Sequence, residues 1–342
     1  MNSQSSRQAP IKESLTIVPE PAVPGRNPVV SAVIVSWNTR RLTLDCVASL
    51  ASTRAALSTE IIVVDNASAD DTVEQLRSKH AHVKVIANQE NLGFARANNL
   101  GMAACTGQYV ALINSDVVVP RGCLETMVQY MDRHPDIGML GPKMILRDGS
   151  IGPSVYKFPT VWNWFCNALG LSLAFKHSRV FANFELPNFD YHKTQDVDVL
   201  TGWFWVVPSR ALRKVGVLDD RFFMYGEDLD WPRRFRKAGW RVTYYSEAHA
   251  MHFCGASSDR APARFYVEMN RANLQYFRKH HRPLAVFGFW LAMTLQQLVR
   301  LIGYSVVYLF HASKRATAAC KIKRNAACLL WLLGLKKTSE VR

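Results

Sequence analysis

The sequence lacks the cysteine and glycine motifs that mark several common binding sites. Its seven cysteines stand at positions 46, 105, 123, 166, 254, 320 and 328, and none of them forms a CxxC pair. This odd, scattered set argues against a zinc site and against a cysteine nucleophile, and favours free, mostly buried thiols in a reducing compartment. The segment "SWNTRRLT", which follows the first apolar run, contains no glycine. The usual glycine-rich cradle for dinucleotide or ATP phosphates is therefore missing.

Acidic residues are also scarce, with 27 Asp or Glu against 42 Lys or Arg and a formal net charge of +15. From Arg271 to the end there are thirteen Lys or Arg and one acid, Glu340, so most of the excess lies in the last fifth of the chain. Such a basic tail suits an anionic membrane surface or nucleic acid. Because the basic residues alternate with apolar helical segments, we expect the membrane surface and no nucleic acid. Residues 1–28 have no apolar stretch typical of a signal peptide, and we expect a disordered leader.

Short apolar runs alternate with helical patterns along the first half of the chain. The runs in "PVVSAVIVSWNT", "TEIIVVDNASADDT", "HVKVIANQ" and "QYVALINSDVVVP" predict strands, and the segments between them predict helices. Later, "VDVLTGWFWVVP" and "RVTYYSEAHAMHF" predict further strands, with a helix at "WPRRFRKAGW" that would hold Pro232 in its first turn. This alternation indicates an α/β fold with a mostly parallel sheet flanked by helices.

Polar side chains stand where the predicted strands end. They are Asn38, the pair Asp65 and Asn66, and the run from Asn114 to Asp116. In a parallel sheet such ends meet at one edge, where ligands bind. Asp65 could accept hydrogen bonds from a nucleotide base or ribose, or could simply cap the next helix. Asp116 could reach a divalent cation that bridges a diphosphate, or could be a polar strand end.

The segment "FFMYGEDLDW", residues 222–231, concentrates three carboxylates after an aromatic run. Acidic residues in the first turn of a helix are stabilised by the helix dipole, and that ordinary explanation stays open. A site with a catalytic base is the alternative, favoured by the aromatic residues that precede the acids. Asp230 is placed to pair with Arg234 four residues later.

Residues 283–310, "PLAVFGFWLAMTLQQLVRLIGYSVVYLF", are long and apolar enough to span a bilayer. Gln296, Gln297 and Arg300 interrupt the segment, so we favour a helix that lies in the membrane interface over a clean span. The later "CLLWLLGL" predicts a second amphipathic anchor. The expected organisation is a leader at 1–28, a domain at 29–282 divided at 147/148, and membrane-associating helices at 283–342.

Six segments carry a family resemblance: "VIVSWNT", "VVDNASADDT", "NLGFARANNLG", "LINSDV", "VGVLDDRFFMYGEDLDWPRRFRKAGWRV" and "HFCGAS". In this order and spacing the chain resembles the inverting family 2 GT-A glycosyltransferases, in particular their rhamnosyltransferase-like branch. The resemblance covers about Val29 to Ser258. It implies a Rossmann-like GT-A fold, a nucleotide-sugar co-substrate and a divalent metal, Mg²⁺ or Mn²⁺.

The resemblance also implies roles for individual residues. Asp228 matches the catalytic base, and Glu227 beside it would orient the acceptor hydroxyl. Asp116 matches the last acid of the metal-binding DxD element, whose first acid is replaced here by Asn114, and His252 aligns with a residue that completes the metal or diphosphate site. The remaining predicted nucleotide-site residues are Asn38, Asp65, Asn66, Arg96, Asn99, Asn114 and Ser115.

The leading expectation is transfer of a sugar, best matched by L-rhamnose from dTDP-L-rhamnose, to a polyprenyl-diphosphate-linked or other cell-envelope saccharide. The enzyme would work at the cytoplasmic face of the membrane. A UDP- or GDP-sugar donor, a nucleotidyltransferase, a nucleic-acid-binding protein and an inactive sugar-binding scaffold are the alternatives. Trp203 and Trp205 could stack on a substrate or belong to the core, and the core is the favoured interpretation.

Overall fold

The computed structural model describes residues 28–52, 57–254 and 262–336. The predicted leader therefore lies almost wholly outside the described residues, as does the "GAS" of the last family motif. The strands are β1 (Val30–Ser36), β2 (Thr59–Asp65), β3 (Lys84–Ala87), β4 (Tyr109–Asn114), β5 (Val117–Val118), β6 (Ile137–Ile145), β7 (Val155–Tyr156), β8 (Gln195–Asp196), β9 (Val199–Leu200), β10 (Phe204–Pro208) and β11 (Arg241–His252). The helices are α1 (Arg40–Ala51), α2 (Thr72–Lys79), α3 (Phe94–Ala103), α4 (Cys123–Arg133), α5 (Val161–Ala168), α6 (Leu171–Ala174), α7 (Ser209–Val215), α8 (Glu227–Lys237), α9 (Pro262–His280), α10 (Pro283–Phe310) and α11 (Arg315–Leu332).

One mixed sheet organises the described part of the chain, in the order β3-β2-β1-β4-β10-β6-β11-β5, with β8 also paired to β11. The first four strands are mutually parallel, and so are β6 and β11, whereas β10 runs antiparallel between β4 and β6. The α/β architecture with helices around a largely parallel sheet is thus confirmed. Parallel pairing brings Ser36 beside Asp65 and Val35 beside Asn114, which places the predicted polar clusters at one sheet edge.

The central strands are apolar because both faces of the sheet are covered. Two clusters of buried side chains lie on its two sides, and β1, β2 and β4 contribute to both. Helix α1 buries Thr43, Cys46, Val47 and Leu50. All seven cysteines are free and five of them are buried, as expected.

Several elements were not predicted from the sequence, and one detail of the prediction was wrong. No strand was predicted for β6 and no helix for α9. Pro232 is the sixth residue of α8, not a first-turn residue, because the helix already begins at Glu227. Since proline has no N–H, Pro232 cannot donate the usual helical hydrogen bond to the carbonyl of Asp228.

The C-terminal helices pack against the rest of the molecule. Phe289 of α10 is fully buried, stacks on Phe277 of α9 at 3.8 Å and meets Trp164 of α5 edge-on at 4.9 Å. The apolar core is therefore continuous across position 282, and the proposed domain boundaries at 147/148 and 282/283 stay predictions. Among the described residues, α10 is the one helix that is both long enough and apolar enough to cross a bilayer, and 28% of its most apolar stretch is buried.

Candidate active site

A cavity of about 540 Å³ opens at the sheet edge where the polar clusters meet. It is bounded by the ends of β1, β2 and β4, by β11, and by the start of α8. Most of the predicted site residues line it together. They are Asn66, Asn114, Ser115, Asp116, Glu227, Asp228 and His252.

Asp116 and His252 form a pair of polar side chains in this cavity. The Asp116 carboxylate and the His252 Nε2 are 3.1 Å apart, and both residues are more than nine-tenths buried. The Asn114 amide approaches the same nitrogen at 3.5 Å, and the His252 Nδ1 lies 3.3 Å from the Cys254 thiol. The antiparallel pairing of His252 with Val117 explains how residues 136 positions apart come together.

This pair could supply only some of the ligands that a divalent cation needs. One carboxylate and one imidazole suit Mn²⁺ or Mg²⁺, but such ions usually take six ligands. The described residues contain no cluster of three or more His, Cys, Asp or Glu suited to a metal ion. The donor set therefore fits a cation whose remaining positions are filled by water and by the oxygens of a bound diphosphate.

Asp65 lies beneath the cavity rather than on its wall. One carboxylate oxygen accepts the Ser68 N–H at 2.8 Å, and the other is buried with no hydrogen-bond partner in the described part of the protein. Asn38 holds the same loop, since its backbone N–H donates to the Ser68 hydroxyl and its side chain accepts from the Ala69 N–H. Asn38 adopts φ 53°, which an asparagine tolerates better than most residues.

Arg96 and Asn99 are not brought to the cavity. Arg96 is exposed on α3. The Asn99 amide donates to the Leu218 carbonyl at 2.8 Å and accepts the Leu218 N–H at 3.0 Å. Asn99 thus fixes the loop that leads to α8, and its two side-chain groups are occupied by backbone.

That loop presses closely on the start of α3. The Phe94 N–H donates to the Phe223 carbonyl at 2.6 Å, and a Cβ on Gly93 would come within 2.3 Å of the same oxygen. Glycine is required at position 93 for this approach and for its φ of 82°. Tyr225 and Gly226 then both take positive φ, 65° and 69°, which turns the chain sharply into α8. A tyrosine in this conformation is unusual and marks a backbone constrained at the site.

Glu227 and Asp228 follow that turn and differ in their surroundings. Glu227 is 5% exposed, and one of its carboxylate oxygens is buried without a partner in the described residues. Burial, reinforced by the charge of Asp228, raises the pKa of Glu227 well above its ordinary value. Burial also raises the pKa of Asp228, to about 6, although backbone N–H groups at the start of α8 oppose the shift. Both carboxyl groups therefore keep a proton to higher pH than they would in water.

Asp230, the third acid, is a structural residue. It is fully buried, and its carboxylate accepts from Arg234 at 2.9 Å, which confirms the predicted pair. It also meets Lys279 at 2.7 Å and His280 at 2.6 Å, so it ties α8 to the end of α9. Burial alone would raise the pKa of Asp230, but the His280 hydrogen bond and the neighbouring cations hold it below its usual range.

Trp205 lies in β10 and belongs to the core, whereas Trp203 directly precedes β10 and belongs to the site. Trp205 is fully buried and donates its indole N–H to the Leu200 carbonyl, as the favoured interpretation expected. Trp203 is 3% exposed, yet it lines the cavity and stacks on His252 with ring centres 5.4 Å apart. Trp203 therefore fixes the plane of the imidazole.

A second cavity, of about 340 Å³, lies beyond Asp228 and shares Asp228 and Tyr225 with the first. Its polar lining comes largely from α5, α9 and α10, through Asn163, Asn167, Tyr266, Asn270, Asn273, Gln296 and Arg300. No part in such a cavity was predicted for α9 or α10 from the sequence. The signal was present as polar residues at helical spacing, Tyr266, Asn270 and Asn273, and again Gln296 and Arg300.

Comparison with known proteins defines the class to which this fold and site belong. The fold is similar to that of a mannosyltransferase from Pyrobaculum calidifontis, solved with GDP-Man and Mn²⁺, at a TM-score of 0.52 and 17% identity over 92% of this chain and 90% of that one. It is also similar to GalNAc-T7, solved with UDP, GalNAc and Mn²⁺, at a TM-score of 0.53 and 13% identity over 74% of this chain. The match spans about half (48%) of the GalNAc-T7 chain. These likenesses establish a glycosyltransferase fold of the GT-A type.

The sequence comparisons then give the family. A model described as glycosyl transferase family 2 matches residues 31–169, and one described as glycosyl transferase family group 2 matches residues 109–333, more than half of the chain. The chain belongs to glycosyltransferase family 2 and is a transferase enzyme. It is 28% identical over 251 residues to the N-acetylglucosaminyl-diphospho-decaprenol L-rhamnosyltransferase of Mycobacterium tuberculosis, which covers 68% of this chain and 77% of the relative.

Proposed function

We propose that this enzyme transfers a sugar, L-rhamnose from dTDP-L-rhamnose, with inversion, to a saccharide linked through a diphosphate to a polyprenyl lipid. The observation that carries the proposal is the position of Asp228 on the shared wall of two cavities. A direct displacement needs a base between a donor and an acceptor. The similarity to the mycobacterial L-rhamnosyltransferase supports this choice of donor and acceptor.

The first cavity would hold the nucleotide-sugar. Asp65 is buried next to Asn66, which lines this cavity. Its unpartnered oxygen would accept from a base N–H or ribose hydroxyl if nucleotide binding opens the wall at this point, since a buried oxygen without a hydrogen bond is costly. Asn66 is held by Asn88 and by the Gly93 carbonyl, so it would serve as a fixed wall of the nucleotide site. Asn38 and Asn99 would act indirectly by fixing the loops around the site, and Arg96 is exposed on α3 and does not line the cavity.

Asp116 and His252 would hold the divalent cation, with Asn114 and Ser115 beside them. The Ser115 hydroxyl is 3.0 Å from that of Thr39, which anchors the end of β4 to the start of α1. A cation bound there would offset the charge that develops on the departing diphosphate. The imidazole is kept in place by its stack on Trp203 and by the Asp116 carboxylate.

Asp228 would take the proton from the attacking acceptor hydroxyl. With a pKa of about 6 it is mostly ionised at neutral pH and is a stronger base than an ordinary aspartate. Glu227 lies beside it with its pKa raised by burial, and in its protonated form it would donate a hydrogen bond that orients the acceptor. General-base catalysis of this kind typically contributes about 10²–10⁴-fold.

A lipid-linked acceptor requires the enzyme at a bilayer, and the outer side of α10 suits that position. Leu284, Ile302, Leu309 and Phe310 are each more than 60% exposed, while Gln296 and Gln297 face inward and are buried. The polar residues that interrupt the apolar sequence therefore face protein. This arrangement supports a helix that rests in the membrane interface, and the cytoplasmic face is the side that we propose.

Thermal unfolding with dTDP, UDP or GDP, each with Mg²⁺, Mn²⁺ or EDTA, tests the donor and metal assignments. We expect dTDP with metal to raise Tm most, since a ligand at 100 times its Kd stabilises by about 2.7 kcal/mol. Asp116→Ala should abolish the metal-dependent part of the shift, and Asp220→Ala, which removes an exposed acid, should not. If Asp116→Ala keeps the full metal dependence, the cation binds elsewhere. If UDP or GDP raises Tm and dTDP does not, the donor sugar is carried on that nucleotide and not on dTDP.

A further inference from the structure

Arg300 of α10 stands at the second cavity in a setting that its packing alone does not explain. Its guanidinium donates to the Tyr266 hydroxyl at 3.0 Å and to the Asn167 side-chain oxygen at 3.2 Å. Gln296, one turn earlier, donates to the same Asn167 oxygen at 3.0 Å. These contacts join α5, α9 and α10, but all of them are made to uncharged groups.

The charge of Arg300 has no counter-ion within the described residues. No carboxylate lies within 4.0 Å of its guanidinium, although Glu185 lines the same cavity. Arg324 of α11 lies over the Tyr266 ring at 4.3 Å, and its buried Nε has no hydrogen-bond partner in the described part. Two half-buried cations without an anion are costly, and a neutral glutamine could join the helices as well. The arrangement is that of an anion site, for which the planar guanidinium is the best-suited donor.

Apolar side chains are exposed on the same helices that line the cavity. Leu298, Val299 and Ile302 flank Arg300 on α10 and are 44%, 39% and 67% exposed. Next to the cavity residue Ser172 on α6, Leu173 is 72% exposed. If a molecule is bound in this cavity through an anionic group, the part of it that extends out of the cavity contacts apolar surface. A free sugar phosphate has no such part and would gain nothing from that surface.

We propose that Arg300 binds the diphosphate of the acceptor lipid, a step that rests on the proposed transfer to a lipid-linked saccharide. The saccharide then extends toward Asp228, and the lipid leaves over the exposed residues of α6 and α10. Arg300 is a specificity-determining residue in this arrangement, because it distinguishes an acceptor carried on a diphosphate from the same sugar on a neutral lipid.

Direct binding to the full-length protein in detergent tests this assignment, with farnesyl diphosphate and farnesol as probes. Wild type should bind farnesyl diphosphate more tightly than farnesol. Arg300→Gln should lower the affinity for farnesyl diphosphate about 10- to 100-fold, since a charge-assisted hydrogen bond is lost, and should leave the affinity for farnesol unchanged. Lys323→Gln removes an exposed cation from α11 and should bind both probes as wild type does.

Further arms separate the diphosphate of the acceptor from that of the donor. dTDP with Mn²⁺ should bind Arg300→Gln and wild type equally, and Asp116→Ala should lose affinity for dTDP but keep it for farnesyl diphosphate. Arg300→Lys, which keeps the charge, should recover part of the affinity, and its Tm shows whether folding is preserved. Unchanged farnesyl diphosphate binding in Arg300→Gln, or loss of it in Asp116→Ala, would overturn the inference. Absence of nucleotide binding in wild type would instead count against the proposed function.

Discussion

Asp228 and Glu227 are sequence neighbours, and burial raises the pKa of both carboxyl groups. If Asp228 is the base, Asp228→Asn should lower kcat about 10²–10⁴-fold with little change in donor KM. In wild type kcat/KM should rise with pH through about 6, the pKa of Asp228, and this limb should be absent from the residual activity of the variant. Steady-state kinetics between pH 5 and 8 measure both effects. Asp220→Asn is the matched control, and a variant of near-normal turnover would exclude Asp228 as the base.

Glu227 should lower the stability of the protein as the pH rises. Its pKa is raised in the folded state, so above the unfolded pKa the native protein retains a proton that the unfolded chain releases. Stability therefore falls with increasing pH, by at most about 1.4 kcal/mol per pH unit for this group. Glu227→Gln removes that loss, and its advantage over wild type in urea unfolding should grow from pH 5 to pH 7. An advantage independent of pH would show that Glu227 is ionised in the native state.

At the scale of elements, the tie between α8 and α9 holds the turn before Glu227 and Asp228 in place. Asp230→Asn would leave Arg234 and His280 without their carboxylate, and Lys279 would keep only its pair with Asp219. Breaking a buried ion pair from one side typically costs about 3–5 kcal/mol. Urea unfolding at pH 7 should show a loss of that order, against less than about 0.5 kcal/mol for the exposed Asp220→Asn. A loss as small as the control's would mean that the cations are compensated by other groups.

Elements with a clear hydrophobic periodicity, or with a polar residue at the end of an apolar run, were predictable. Features that depend on contacts between residues far apart in the sequence were not. The ends of β2 and β4 were located at Asp65 and Asn114 because apolar runs stop there. The Asp116–His252 contact needed the pairing of β5 with β11, a contact between residues 136 apart that a local pattern does not contain. Asn99 was assigned to the donor pocket by position in a motif, but its amide lies on the Leu218 backbone, which only the folded loop reveals.

The second cavity shows the same limit. Residues 283–310 were recognised as one helix, and their polar interruptions suggested one polar face. Which elements meet that face depends on α9, which was not predicted. The inward side chains Gln296 and Arg300 could therefore be seen in the sequence, but not their contacts with Asn167 and Tyr266.

For the whole molecule, the basic and apolar C-terminal region should bind anionic vesicles. Removal of everything after residue 282 would also remove the buried Phe289, so surface substitutions are the better test. Ile302→Gln with Phe310→Gln should weaken sedimentation with phosphatidylglycerol vesicles at least tenfold, since each buried apolar side chain contributes about 1.5–3 kcal/mol. Ile302→Leu with Phe310→Leu is the matched control. Equal binding of both variants would show that α10 does not contact the bilayer.

The position of Asp228 between two cavities also governs how the enzyme could be inhibited. A compound that joins a nucleotide to a lipid diphosphate would have to pass this carboxylate to occupy both cavities. Its second end would then bind at an effective concentration set by the linker, which can reach the millimolar range for short linkers. The middle of the linker would face the negative charge of Asp228. A cationic or hydrogen-bond-donating group at the middle of the linker would suit that position.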